Sequence, residues 1–261
     1  MLIKFYKYHG AGNDFIILDN RKNTYNGLNQ QSIEFLCHRH FGVGADGLML
    51  LNSSDSYDFG MKYFNSDGRE STMCGNGGRC IVAFAKSLQI IGDTTTFEAI
   101  DGIHIAEIID AKTVKLKMND VFEIKEQNGD FILNTGSPHI VKFVENANDL
   151  NVFELGKQIR YSKQFSPNGI NVNFVQKLSE RKIYVRTYER GVENETLSCG
   201  TGVTAASIAY SCLNSCEDFE IETKGGILKT SFTKTNSTFT NVWLQGSVSF
   251  VFEGFVRFKM G

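Results

Sequence analysis

The sequence predicts a mixed α/β (α+β) fold of two similar domains, each with mainly antiparallel strands wrapped on one central helix. Three observations point there. Period-two alternation and β-branched or aromatic runs dominate the chain, two segments read as helices that are apolar on nearly every face, and both follow a cysteine-glycine motif half a chain apart.

Strands are expected at Phe15-Ile16-Ile17-Leu18, Gly47–Leu51, Phe59–Phe64 and Val114–Met118. Asp101-Gly102, between Thr95–Ala99 and His104–Ile108, reads as a hairpin turn because both residues tolerate positive φ. In the second half Gly129-Asp130, Ser179-Glu180-Arg181 and Gly225-Gly226 punctuate strands in the same style. Helix signals are fewer. Ser32 is placed to cap a helix through Cys37 to His40, and Leu150 to Gly156 suits a short one.

The two clearest helices begin alike. One follows Cys74-Gly75-Asn76-Gly77 and runs from Arg79 to Lys86; the other follows Cys199-Gly200-Thr201-Gly202 and runs from Val203 to Tyr210. Small and apolar residues on almost every face suit helices enclosed by curved sheet. Cys199 lies 125 positions after Cys74, and Glu70-Ser71-Thr72-Met73-Cys74 matches Glu195-Thr196-Leu197-Ser198-Cys199, which is the mark of an internal repeat. Domains are therefore expected at 1–118, with Cys74 and a C-terminal strand at 250–261 returning to it, and at 119–249, with Cys199.

Composition narrows the function. The 261 residues suffice for one large or two ordinary domains, and 41% hydrophobic with 21% charged residues is the balance of a globular chain. A formal charge of −2 with Lys and Arg scattered leaves no nucleic-acid footprint, so a small molecule is the expected partner. The start lacks a basic segment followed by an apolar one, and no apolar run is long enough to span a bilayer. No membrane partner and a cytoplasmic address are expected, with all six cysteines reduced. Cys74 with Cys80, and Cys212 with Cys216, lack a second pair at finger-like spacing, so no metal site is expected. Cys37, Cys80, Cys212 and Cys216 read as core residues.

A cysteine at the start of a buried helix meets unpaired N–H groups and the positive end of the dipole, which favour thiolate over thiol. Adjacent glycines let a carboxylate approach the same N–H groups. Duplication of this arrangement suits one reaction. Inverting a stereocentre beside a carboxylate needs one group to remove a proton and another to return one on the opposite face, so two thiols converging on one carbon from two related domains would serve. Backbone donors would steady the carbanion-like transition state without a metal or pyridoxal phosphate.

Three stretches carry a resemblance. Lys7-Tyr8-His9-Gly10-Ala11-Gly12-Asn13-Asp14-Phe15, then Phe64-Asn65-Ser66-Asp67-Gly68 leading to Met73-Cys74-Gly75-Asn76-Gly77-Gly78-Arg79-Cys80, and Tyr188-Glu189-Arg190-Gly191 leading to Cys199-Gly200-Thr201-Gly202 resemble the diaminopimelate epimerase family, in order from Phe5 to Phe258. The resemblance implies two pseudo-symmetric domains, each a barrel-like sheet around a central helix, a homodimer, and cofactor-independent interconversion of LL- and meso-diaminopimelate in lysine and peptidoglycan-precursor synthesis. By motif position, Cys74 and Cys199 resemble the acid/base pair. Gly75, Asn76, Gly200 and Thr201 resemble the backbone cradle for the α-carboxylate. Asn13, Asn65, Asn171, Glu189 and Arg190 resemble the substrate-binding set, whose types suit a zwitterion. His139 resembles the family histidine that tunes the thiols, with Glu189 as its counterpart.

Two positions depart from the pattern. Many members carry asparagine where Ser137 stands and many bacterial ones glutamine where Gly47 stands, both toward the distal end of the substrate. A racemase of histidine or another amino acid on the same scaffold is thus the alternative enzyme, and a non-catalytic amino-acid-binding or thiol-sensing protein the alternative of another class. Proline and hydroxyproline racemases share the cysteine logic but carry different motifs around it. Phenazine-pathway-like isomerases lack the cysteine pair.

Overall fold

The structure, a computed structural model, describes Leu2 to Arg257; residues 258–261 of the expected C-terminal strand, including Phe258, lie outside the described residues. The chain forms two compact units, one built from residues up to Leu116 together with those from Gly246 onward, the other from Lys117–Gln245.

The first unit contains β1 (Leu2–Gly10), β2 (Asn13–Asp19), α1 (Gln30–Cys37), β3 (Gly47–Asn52), β4 (Phe59–Asn65), β5 (Glu70–Ser71), α2 (Gly75–Ser87), β6 (Thr94–Ala99), β7 (Gly102–Asp110) and β8 (Thr113–Lys117). The second contains β9 (Ile124–Gln127), β10 (Asp130–Asn134), β11 (Pro138–Phe143), α3 (Val152–Arg160), β12 (Asn171–Ser179), β13 (Lys182–Glu189), β14 (Asn194–Thr196), α4 (Gly200–Leu213), β15 (Asp218–Thr223), β16 (Gly226–Thr235) and β17 (Thr238–Ser247). β18 (Ser249–Arg257) pairs antiparallel with β1 of the first unit.

The same series of pairings occurs in each unit. β1 and β2 are antiparallel, β2 and β3 parallel, β3 and β4 antiparallel, β4 and β6 parallel, β6 and β7 antiparallel. In the second unit β10 with β11, β11 with β12, β12 with β13, β13 with β15 and β15 with β16 repeat it. The sheets are thus mainly antiparallel with two parallel joints each, and the parallel joints are where a helix connects the strands.

In both units the sheet curls around the cysteine-headed helix. α2 packs on β1, β2, β3 and β7, and α4 on β10, β11, β12, β13, β15 and β16. Cys80, Ile81, Val82, Phe84 and Ala85 of α2 are fully buried, as are Val203, Ala205, Ala206, Ile208 and Ala209 of α4. Each large apolar side chain hidden this way contributes about 1.5–3 kcal/mol. The other sheet face carries the second helix. Ile16 and Leu18 of β2 join Ile33 and Leu36 of α1, while Val172 and Phe174 of β12 join Val152 of α3 and Tyr188. Strand alternation explains both, since neighbouring residues point to opposite faces.

Several local expectations are corrected. Asn29, not Ser32, caps α1, its side chain accepting the Ser32 N–H at 2.9 Å, and the helix stops at Cys37 because the returning loop bonds its last carbonyls through Val43, Gly44 and Ala45. α3 starts after the Asn151 cap and continues past Gly156 to Arg160, with Lys157 and Arg160 in a last turn that favours cations. The turn expected at Gly129-Asp130 is Asn128-Gly129, both at positive φ (55° and 81°), and Asp130 already pairs with Gln127. Cys212, expected in the core, is exposed on the final turn of α4, whereas Cys37, Cys80 and Cys216 are buried.

Candidate active site

Each helix starts earlier than its glycines suggest, at Gly75 and Gly200, so Cys74 and Cys199 are themselves the residues that cap α2 and α4. Both keep extended backbone there, with φ, ψ of −100°, 143° and −116°, 112°. A cap residue stands beside N–H groups that have no partner within the helix, which leaves donors for an anion.

In the first unit the Cys74 sulfur accepts the Gly77 N–H at 3.2 Å. Asn13, in the turn end of β2, lies beside it, with the Cys74 sulfur 3.9 Å from its Oδ1. The same oxygen accepts from Asn76 Nδ2 at 3.2 Å, and Asn13 Nδ2 donates to Asp46 at 2.7 Å. Asn76 is buried and its own Oδ1 accepts from Arg79 at 2.9 Å, so its side chain is committed internally and its backbone is what a ligand would meet. Behind Asn13, Lys7 and Arg39 bind Asp14, and Arg39 also binds Asp46. Burial acts to raise the Asp14 carboxyl, but Arg39 and Lys7 hold it well below the usual carboxylate range. Asn65 is exposed at the end of β4, opposite Gly47 in the ladder. Gly47 is closely covered: a Cβ there would lie 2.5 Å from the Tyr63 ring and 2.7 Å from the Phe64 carbonyl.

In the second unit Cys199 is buried and makes no cap bond; its sulfur lies 3.5 Å from the Thr201 hydroxyl. Burial pushes its thiol well up, the Glu189 carboxylate adds to this, and Thr201 and the Gly202 N–H pull the other way without winning. This corrects the expectation that a helix start alone would favour the thiolate at Cys199. Asn171 is tied on both sides, donating to the Pro138 carbonyl at 3.1 Å and accepting the Arg190 N–H at 2.8 Å. The Arg190 guanidinium reaches the Asn168 carbonyl at 3.3 Å, and Glu189 accepts from the Thr196 hydroxyl. Thr135 holds the Thr201 carbonyl at 2.8 Å, steadying the start of α4. His139 is fully buried, and its pKa is lowered to about 3 by burial and by the Arg190 charge.

Each unit thus carries a thiol at a helix start with carboxamides nearby, on two copies of one topology. The sequence profile of the family described as diaminopimelate epimerase matches residues 5–123 and 131–251. The chain belongs to the diaminopimelate epimerase family. The diaminopimelate epimerase of Flavobacterium psychrophilum is 50% identical over 253 residues, covering 96% of this chain and 99% of that one. That of Aquifex aeolicus is 40% identical over 274 residues, covering 97% of each. A phenazine biosynthesis protein of the PhzF family from Bacillus anthracis shares the fold, with a TM-score of 0.77 at 16% identity over 99% of this chain and 100% of that one.

Set on this epimerase frame, the first-unit residues Cys74, Asn13 and Asn76 are joined by direct contacts, as are Asn171 and Arg190 in the second. Sequence reasoning missed Asp46, Arg79, Asn173 and Thr196. Asn173 had a signal, since Asn171-Val172-Asn173 puts two polar residues on one face at the start of β12, beside the apolar Val172, Phe174 and Val175. Among the described residues no group of three His, Cys, Asp or Glu side chains is arranged to hold a metal ion, and no helix is long and apolar enough to cross a membrane.

Proposed function

We propose that this chain interconverts LL- and meso-diaminopimelate, with Cys74 and Cys199 as the two acid/base groups. The observation that carries the reading is the paired one: each thiol caps a glycine-started, buried helix in two units of one topology. Cys199 enters as the protonated partner, because burial and Glu189 keep its proton on. Cys74, whose sulfur already accepts an N–H, takes the α-proton. The Cα–H bond breaks, an S–H bond forms at Cys74, and the electron pair moves into the α-carboxylate. Backbone N–H groups of Gly75, Asn76, Gly200 and Thr201 steady that charge. Cys199 then gives its proton to the opposite face of the carbon, and the reverse reaction exchanges the roles. Arg190 pairs with the distal carboxylate, while Asn13, Asn65, Asn171 and Glu189 accept from the ammonium groups.

The chain acts without pyridoxal phosphate or metal in the reducing cytoplasm, where its thiols stay available. Its working form is a homodimer, a reading supported by the exposed Phe250, Val251, Phe252 and Phe255 on β18. Light scattering on eluting protein tests the pairing. For the reaction, substrate turned over in D2O yields product labelled at Cα while early recovered substrate stays unlabelled. Cys74→Ala and Cys199→Ala each lose about 10²- to 10⁴-fold in rate. Full activity in both variants, or product that retains the original hydrogen, refutes the two-thiol reading.

A further inference from the structure

His139 sits at the start of β11, level with Asn171 of β12, and is wholly inaccessible to solvent. Two residues along β12, on the same strand face as Asn171, Asn173 is equally buried. Its carboxamide touches three groups. Nδ2 lies 3.0 Å from the Ile140 carbonyl and 3.1 Å from His139 Nδ1, and Oδ1 accepts from the Thr187 hydroxyl at 2.9 Å.

These contacts decide the state of the imidazole by donor and acceptor count. A backbone carbonyl only accepts, so the carboxamide atom facing Ile140 is the nitrogen. One of its two hydrogens goes to that carbonyl and the other to His139 Nδ1, which must then offer a lone pair. The ring proton is therefore on Nε2. An imidazolium would set Nδ1–H against Nδ2–H, and turning the carboxamide over to relieve this would press its oxygen onto the Ile140 carbonyl. Thr187 holds the orientation from β13, and the start of α4 closes over it, because a Cβ at Gly202 would lie 2.5 Å from Asn173 Oδ1. Nε2 is buried and has no hydrogen-bond partner among the described residues.

We propose that Asn173 is a positioning residue that locks His139 as the neutral Nε2–H tautomer, so that His139 serves the reaction only as a hydrogen-bond donor. This rests on the epimerase reading for the role and on the contacts above for the lock. His139 then neither takes the α-proton nor supplies a cation to the thiols; it offers one N–H. The groups around it agree. β10 presents Leu133 opposite it, β12 presents Asn171 and Asn173, and α4 contributes the Cys199 thiol beside Gly202. The charges nearby are Arg190, whose field disfavours a second cation, and Glu189, which acts on Cys199.

The test is nitrogen NMR of the histidine rings in the ¹⁵N-labelled full chain across pH 5 to 9. His139 is assigned by the signals lost in His139→Gln or, should that variant not fold, by replacing His9, His38, His40 and His104 in turn. The expected spectrum shows His139 with a bare Nδ1, a protonated Nε2 and no change with pH. A ring that titrates in this range, or carries its proton on Nδ1, overturns the lock. In Asn173→Asp a carboxylate oxygen replaces Nδ2, giving up the Ile140 bond to accept from Nδ1–H, so the ring becomes titratable and kcat/KM gains a new ionisation that Asn173→Leu lacks. Equal losses in the two variants with unchanged pH profiles would mean Asn173 merely packs. The ring signals judge the lock and wild-type turnover judges the epimerase reading, so the two failures are told apart.

Discussion

The Gly77 N–H reaches the Cys74 sulfur at 3.2 Å, whereas Cys199 lies deeper, where burial and the Glu189 carboxylate outweigh the Gly202 N–H. Two thiols of one motif therefore stand in unlike environments. Cys74 is half-buried and Cys199 buried, and Cys199 is held as the thiol. Iodoacetamide at neutral pH should modify Cys74 ahead of Cys199, because the thiolate is the nucleophile and access limits the rate. Peptide mapping after partial labelling checks the order, and earlier labelling of Cys199 would contradict it.

Glu189 raises the Cys199 thiol by keeping a negative charge beside it. Glu189→Gln removes that charge, so the thiol pKa should fall and the thiolate absorbance near 240 nm should appear at lower pH than in the parent. The variant should also lose about 10²-fold or more in turnover, since the carboxylate proposed to accept from a substrate ammonium is gone and the Thr196 contact altered. An unchanged thiol titration would remove Glu189 from this role.

Gly47 has no room for a side chain such as glutamine, with the Tyr63 ring and the Phe64 carbonyl both within 2.7 Å of where a Cβ would sit. Gly47→Gln should destabilise the chain by about 1–3 kcal/mol through overpacking. Thermal unfolding should show a Tm lower by roughly 2–4 °C per kcal/mol. Tyr63→Ala in the same chain should recover part of the loss, whereas a Tm equal to the parent would show that the strand yields.

Asp14 is held below its usual pKa by Arg39 and Lys7 against the effect of burial. A carboxyl whose folded pKa is depressed stabilises the fold above the unfolded value of about 4 and loses that contribution as pH falls toward the folded one. Asp14→Asn should therefore cost on the order of 2 kcal/mol near pH 7 and progressively less below about pH 4. Denaturant melts at neutral and acid pH test the sign. A deficit that grows as pH falls would contradict it.

Much of this was legible in the sequence because it is local. Apolar runs at Phe15–Leu18 and Gly47–Leu51 are strands, two small-residue apolar stretches are enclosed helices, and the matched Cys-Gly-x-Gly segments recur at the two helix starts. Cap and turn positions slipped by a residue or a few, at Asn29, Gly75, Asn128 and Gly200, because they depend on which side chain or carbonyl reaches a given N–H. Only the tertiary structure set the unlike surroundings of the two thiols, the embrace of His139 by Asn173, the covering of Gly47 by Tyr63 and the exposure of Cys212. A thiol's proton affinity depends on burial and on charges from strands distant in the chain. The sequence thus determined which residues stand at the two helix starts, while packing across β12, β13 and α4 decided the burial and charge around Cys199 and His139.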